Sequence, residues 1–269
     1  VKQVWIMPLI DPKSINELPQ KALLVSDLDG TLAPSKQPIS EEMAAALAKL
    51  LEHMKVAVIG GGSYRQFEQQ LSSRLNKGNL HNLYLFPTNA TSLFVYRGNI
   101  WVKEYELSMS SEEKAKIVDA LAKVVTMFDF ARPQKVYGSQ IEDRNTQITF
   151  SALGQDAPLE EKKLWDPDLS KRLKIKAELD KIIPQFEVKI GGTTSIDITR
   201  KGIDKAYGIK RISGYLNISI SQMLYVGDAL FEGGNDHAAL DTGIDCIMVA
   251  DPSQTIAIIK RLYESFKHM

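Results

Sequence analysis

The 269-residue sequence contains one cysteine, Cys246. A single thiol excludes a disulfide framework within the chain and any multi-cysteine zinc site. It also fits a reducing, cytoplasmic compartment. Charge of one sign is not in excess: Lys+Arg and Asp+Glu are each 33, and the formal net charge is zero. Nucleic-acid grooves and anionic membrane surfaces select a basic excess, so neither is expected as a partner. No apolar run approaches the roughly 20 residues that span a bilayer. The segment from Val1 to Asp11 is apolar but short, and it contains Pro8. It lacks the basic head and long apolar stretch of a secretory signal and reads as a surface arm or edge strand. The chain opens on Val1 rather than Met, which leaves room for a preceding segment. Trp5, Trp101 and Trp165 are isolated, so no stacking platform for bases is expected. His53, His81, His237 and His268 are scattered, with no pair at metal-ligand spacing.

What remains is an ordinary globular mixture, 44% hydrophobic and 25% charged, long enough for one large domain or two modest ones. The short apolar run Ala22–Ser26 ends in Asp29–Gly30 and predicts a buried strand followed by a turn. Ser40–His53 has helical spacing, with Glu41 and Glu42 in its first turn. Lys55–Ile59 predicts a second buried strand, stopped by Gly60–Gly62. Ser63 then opens a helix with Gln66 at the capping-box position. This alternation is the grammar of a parallel sheet. The rhythm changes near Asn89. Thr91–Tyr105 reads as a hairpin, Ser110–Phe128 as an amphipathic helix, and Asp168–Ile183 as another helix. Gln147–Ala152, Glu187–Ile190 and Ser195–Thr199 read as strands. After Gly202 the α/β pattern returns, with helices at Lys205–Tyr215, Asn235–Leu240 and Pro252–Phe266 and strands at Met223–Val226 and Cys246–Val249. The expected fold class is therefore α/β, a Rossmann-like parallel-sheet core with an inserted α+β domain. The expected core is 1–88 with 200–269, and the expected insertion is 89–199.

Four features fall at expected strand ends, where open parallel sheets place ligands. The first is the hexamer Asp27-Leu28-Asp29-Gly30-Thr31-Leu32. Two carboxylates so close repel each other, and a divalent cation with a preference for hard oxygen ligands, such as Mg2+, relieves that repulsion. One carboxylate can then attack phosphorus while the other handles protons. An Asp-Gly turn alone is commonplace, but the whole hexamer after a buried strand favours chemistry. The second is Ser63 after the glycine run, a helix start suited to an anion and equally to an ordinary N-cap. The third is Lys205, which by itself reads as a solvated helix lysine and, beside these neighbours, as a phosphate partner. The fourth is Asp228, ending an apolar strand, followed by Gly233-Gly234-Asn235-Asp236. Asn235 and Asp236 suit metal ligands, outer-shell supports or helix caps. Cys246 lies in an apolar run and reads as a buried core thiol.

Taken in order, these residues resemble the haloacid dehalogenase superfamily of phosphotransferases, and the resemblance covers the chain from about Lys21 onward. It implies Asp27 as nucleophile and Asp29 as acid/base, with Ser63 and Lys205 binding phosphate. It implies a Mg2+ site of Asp27, Asp29 through its backbone carbonyl, and Asp228, with Asn235 and Asp236 in the same motif. It also implies a mobile cap between Ser63 and Lys205. That insertion resembles the subgroup that includes eukaryotic phosphomannomutase and sugar-phosphate phosphatases. Gly60–Gln70, Gly191–Ile198, Gly202–Tyr207 and Gly227–His237 are similar to the mutase. The resemblance assigns Arg144, Lys162, Ser195 and Asp197 to the cap's substrate site.

Departures from the mutase pattern bear on function. Gln155 stands where an arginine is expected, Lys162 replaces another arginine, and the glycine run carries one extra residue. A mutase must grip phosphate at both ends of a bisphosphorylated intermediate, and arginine offers a bidentate fork that glutamine lacks. Losing one such contact costs on the order of 1.5–3 kcal/mol, more than tenfold in retention. The expected function is Mg2+-dependent hydrolysis of a small phosphomonoester, a sugar phosphate, through an aspartyl-phosphate. Phosphomannomutase activity is the alternative, and a non-catalytic phosphate-binding module is a third. The expected assembly is a monomer or a cap-mediated homodimer.

Overall fold

Leu23–Ser26 (β1) is apolar on both faces and buried throughout, as a strand sandwiched between helix layers must be. A computed structural model describes residues 9–12, 14, 20–76 and 78–267 of the chain. Residues 1–8, most of the expected N-terminal arm, lie outside the described residues, as does His268. Within the arm, the amide of Ile10 donates to the carbonyl of Cys246 at 2.9 Å.

The described residues form two units, one running to Glu106 and resuming at Asp204, the other Leu107–Ile203. The first is built on a seven-stranded sheet. Its strands in chain order are β1, β2 (Lys55–Ile59), β3 (Leu83–Phe86), β4 (Ser92–Arg97), β5 (Ile100–Glu106), β10 (Met223–Gly227) and β11 (Asp245–Met248). The spatial order is β11-β10-β1-β2-β3-β4-β5, parallel from β11 to β3 and antiparallel beyond. The helix Glu41–Leu50 is capped by Ser40, whose side chain accepts from the amide of Met43, and it buries Met43, Ala46, Leu47 and Leu50. The closing helix Pro252–Lys267 contributes Ile256, Ile259 and Leu262 to the same core.

The hairpin β4–β5 was expected in the insertion, with the boundary at residue 89. It instead extends the first sheet by pairing with β3, so the second unit starts at Leu107. Alternation along a hairpin shows that one face is buried; it does not say which open sheet edge the hairpin joins. Strands β3 and Ile141–Asp143 (β6), and the helix Leu159–Trp165, carry no expectation from sequence.

The second unit has a four-stranded antiparallel sheet, β6-β7-β9-β8, where β7 is Ile148–Ser151, β8 Phe186–Gly191 and β9 Ser195–Arg200. Helices Ser111–Met127 and Ser170–Ile182 bury Ile117, Leu121, Val124, Ile175 and Leu179 in one core with Ile148, Phe150, Val188, Ile196 and Ile198 of the sheet. The capping box expected at Ser110 and Glu113 forms in full. Glu113 also accepts from Arg200 at 2.7 and 2.9 Å. That contact, more than the capping bond, holds its carboxyl down at about 2. The opposite sheet face carries Thr149, Ser151, Ser195 and Asp197.

One connection of the first unit departs from ordinary backbone geometry. Thr88 (φ 48°, ψ 47°), Asn89 (φ 52°, ψ 47°) and Ala90 (φ 64°) are consecutive left-handed residues, and none is glycine. Each such placement costs on the order of 1–3 kcal/mol and persists only where its surroundings over-determine it.

Candidate active site

β1 and β10 are parallel neighbours, with Ser26 opposite Val226, so the acids that follow them emerge at the same sheet end. The amide of Asp27 donates to the carbonyl of Val226 at 3.0 Å and continues the ladder one residue beyond the strand. Asp228 follows β10. Gly30 sits at φ 86°, and a Cβ there would come within 2.3 Å of an Asp228 carboxylate oxygen. The glycine after the second acid is thus what lets the two strand-end loops approach. Asp236 returns to the same point, its loop fastened by the amide of Asp236 on the Ala229 carbonyl at 3.1 Å. One carboxylate oxygen from each of Asp27, Asp228 and Asp236 lies within 4.8 Å of the other two.

Lys205 completes the cluster. It is the first residue of the Lys205–Leu216 helix, capped by Asp204. A cation at a helix N-terminus opposes the helix dipole, so acids must hold it there. Its ammonium contacts Asp27, lies 3.1 Å from Asp236, and donates to the Ile59 carbonyl at 3.0 Å. Exposure is 1% for Lys205, 3% for Asp27 and 0% for Asp236. Burial lifts the Asp27 carboxyl to about 8, with Asp236 and Asp228 adding to the rise and Lys205 opposing it. Burial works to lower the Lys205 ammonium, but Asp236 and Asp27 overcome it and push the group above its usual value. Asp228 is also raised, first by burial and then by Asp236. Three acids against one ammonium leave an uncompensated negative charge, which is the condition a divalent cation relieves. The oxygen-only donor set of Asp27, Asp228 and Asp236 suits Mg2+.

Asp236 sits deeper than a simple ligand. Tyr225 Oη donates to its Oδ1 at 2.7 Å and the Ala229 amide to its Oδ2 at 3.2 Å. It therefore also braces the Asp228 loop, while Thr31 Oγ1 reaches Asp228 at 3.3 Å. Asn235 is exposed. Tyr225 carries no expectation from sequence, although its polar tip in an otherwise apolar buried strand signals a buried partner.

The Asp29 side chain lies outside this three-carboxylate group. Its Oδ1 accepts from the Lys36 amide at 2.7 Å and from Gln70 Nε2 at 2.9 Å; its Oδ2 accepts from Gln66 Nε2 at 2.9 Å. Gln66 and Gln70 are four apart on the Tyr64–Gln70 helix and so share a face. That spacing is visible in the sequence, where Gln66 also stands at the capping-box position after Ser63. The box does not form: the Ser63 hydroxyl makes no cap hydrogen bond, and Gln66 serves Asp29 instead. A box would use Gln66 Oε1 as acceptor for the Ser63 amide, whereas the charge-assisted bond from Nε2 to the carboxylate turns the side chain toward Asp29.

In the second unit, Arg144 donates from Nε and Nη2 to Glu142 at 2.9 and 2.7 Å. Asp197 accepts from Thr149 at 2.7 Å, and Ser195 lies two residues before it on the same face of β9. Lys162 is buried and donates to the Gln155 carbonyl at 2.7 Å. The side-chain nitrogen Nε2 of Gln155 is buried without a hydrogen-bond partner.

A family model described as eukaryotic phosphomannomutase matches residues 43–265. Phosphomannomutase of Schizosaccharomyces pombe is 27% identical over 252 residues, covering 90% of this chain and 95% of the relative. Human phosphomannomutase 1 is 28% identical over 223 residues, covering 81% and 82%. Among solved structures, Plasmodium falciparum IMP-nucleotidase superposes with a TM-score of 0.69 at 18% identity, covering 95% of this chain and 65% of that one. Aspergillus fumigatus trehalose-6-phosphate phosphatase superposes with a TM-score of 0.57 at 17% identity, covering 96% and 99%. At such identities the structural likeness establishes the fold, that of the haloacid dehalogenase-type enzymes.

Proposed function

Because the chain belongs to the eukaryotic phosphomannomutase family, we propose that it moves a phosphoryl group between the 1- and 6-positions of a hexose phosphate, mannose phosphate first among them. The observation that carries this reading is the meeting of Asp27, Lys205, Asp228 and Asp236 at one sheet end. Asp27 attacks phosphorus in line; its carboxylate–phosphorus bond forms as the ester bond breaks. Asp29 gives a proton to the leaving oxygen and takes one from the hydroxyl that returns. Gln66 and Gln70 hold that carboxyl in place. Lys205 and the Ser63 hydroxyl neutralise phosphoryl oxygens, the electrostatic task that dominates such transfers. A Mg2+ held by Asp27, Asp228 and the Asp29 carbonyl, with Asn235 and Asp236 in support, supplies charge neutralisation when bound. Arg144, Lys162, Ser195 and Asp197 in the second unit, the substrate-selecting cap in this reading, are assigned to recognition of the sugar and its distal group.

Hydrolysis is the second reading, and Gln155 favours it. A neutral amide stands in place of a guanidinium, and Lys162 is occupied by the carbonyl of that same residue. The two readings separate in one assay. With mannose 1-phosphate and a hexose bisphosphate primer, a mutase forms mannose 6-phosphate faster than free phosphate, and a phosphatase does the reverse. Asp27→Asn should lower either rate by about 10³-fold or more. Chelation should stop the reaction and Mg2+ restore it. Phosphate binding without turnover of any ester would leave only the non-catalytic module.

A further inference from the structure

The left-handed turn at Thr88–Ala90 touches the glycine loop, and the direction of its contacts carries an inference. The amide of Thr88 donates to the Gly62 carbonyl at 3.0 Å and that of Asn89 to the Gly60 carbonyl at 2.8 Å. Alternate carbonyls of the loop are thus both turned toward the strained residues. A trans peptide places its C=O and N–H on opposite sides, so the Ser63 amide, which shares a peptide with the Gly62 carbonyl, is turned away from the turn. The loop also borders Asp27: a Cβ at Gly60 would lie 3.6 Å from its carboxylate oxygen.

The turn itself is braced from several directions. Thr88 and Thr91 share a hydroxyl–hydroxyl bond of 2.6 Å, and Thr91 Oγ1 also lies 2.7 Å from the Thr88 carbonyl. Tyr105 Oη donates to the Ala90 carbonyl at 3.0 Å. Behind it, the helix Lys205–Leu216 presents Gly208, where a Cβ would lie 3.4 Å from the Ala90 side chain, 3.5 Å from the Asn89 carbonyl and 2.1 Å from Ile59. A Cβ at 208 would meet the turn at ordinary contact distance and clash only with the tip of Ile59, so the helix that carries Lys205 packs closely on both.

We infer that Thr88–Ala90 is a positioning element: it holds a strained backbone so that the Gly60–Ser63 loop presents its Ser63 end in one orientation to a phosphoryl group. The inference rests on the phosphate-binding reading of Ser63. None of the three residues touches the reacting atoms; they act through the loop. Ordinary right-handed backbone at 88 and 89 would withdraw both amide donors and release the loop to several conformations. Apparent affinity then falls by the fraction of molecules in the competent one.

The test is Asn89→Val, with the milder Asn89→Ala beside it and Asn89→Gly as the control. A β-branched side chain is a genuine outlier in left-handed backbone, whereas glycine occupies it without strain. The expected result for Asn89→Val is about tenfold weaker binding of orthovanadate by calorimetry, with a smaller loss for Asn89→Ala. KM for the phosphate ester should rise more than kcat falls. Asn89→Gly should keep the affinity of the parent protein and a thermal midpoint within about 3 °C of it, because relief of strain and a freer unfolded chain oppose each other. Unchanged vanadate affinity in Asn89→Val and Asn89→Ala overturns the inference. So does loss of affinity only in step with a lower midpoint, which would mark a structural role. If the parent protein itself bound no vanadate and turned over no ester, the phosphotransferase reading would fail first, whatever the turn does.

Discussion

Asp27 sits under electrostatic strain at the centre of the site. Its carboxyl is carried from 3.8 to about 8 by burial and by Asp236 and Asp228. A folded-state pKa above the unfolded one means that the native state holds the proton more tightly. The contribution to stability is full below pH 4 and is lost as pH rises toward 8. Asp27→Asn, measured with chelator present, should therefore raise the thermal midpoint at pH 8 by about 2–4 °C for each kcal/mol relieved, with the gain shrinking toward pH 4. Lys205 keeps Asp236 at 3.1 Å in that variant. A lower midpoint at pH 8 would show that the Asp27–Lys205 pair stabilises the fold outright. Cys246 is the opposite case: burial pushes its thiol up to about 12, so it stays an inert core group, as its apolar neighbours in sequence suggest.

Elements of the second unit depend on one buried ion pair. Arg172, in the Ser170–Ile182 helix, donates from Nε to Asp166 at 2.7 Å and from Nη1 to the Gly191 carbonyl at 2.9 Å, and it also reaches the Gly192 carbonyl. Both side chains are buried. The pair ties the helix start to the β8–β9 turn, three residues before Ser195. Arg172→Ala leaves Asp166 buried and uncompensated, which costs about 3–5 kcal/mol. Urea unfolding should register that loss, and a change below 1 kcal/mol would mean that water enters and solvates the acid. Nothing local foreshadows this pair, because a lysine- and arginine-rich helix reads as a solvated surface until its neighbours are known.

At the scale of the molecule, Leu107–Ile203 is continuous in sequence and has its own apolar core, whereas the first unit is assembled from two separated segments. The excised segment 107–203 should fold alone and unfold cooperatively on heating, followed by circular dichroism. A non-cooperative melt would show that it needs the rest of the chain. No helix among the described residues is long and apolar enough to cross a membrane.

Much of this was legible beforehand. The meeting of Asp27, Lys205 and Asp228 at one sheet end was foreshadowed by short motifs at strand ends, because apolar runs and glycine turns are local signals and a parallel sheet delivers its strand ends to one side. The alternation of strand and helix gave the α/β class and the insertion for the same reason. Other features depend on groups distant in the chain. The hairpin β4–β5 joined the edge of β3; Gln66 left the cap of its own helix for Asp29; Tyr225 and Asp236 locked together across a loop. Thr88 and Ala90 took a left-handed backbone that their own local preferences disfavour. Each of these outcomes is a competition between a nearby partner and a distant one. Sequence spacing shows only the nearby partner; the folded chain brings up the distant one, and desolvation and charge then decide between them.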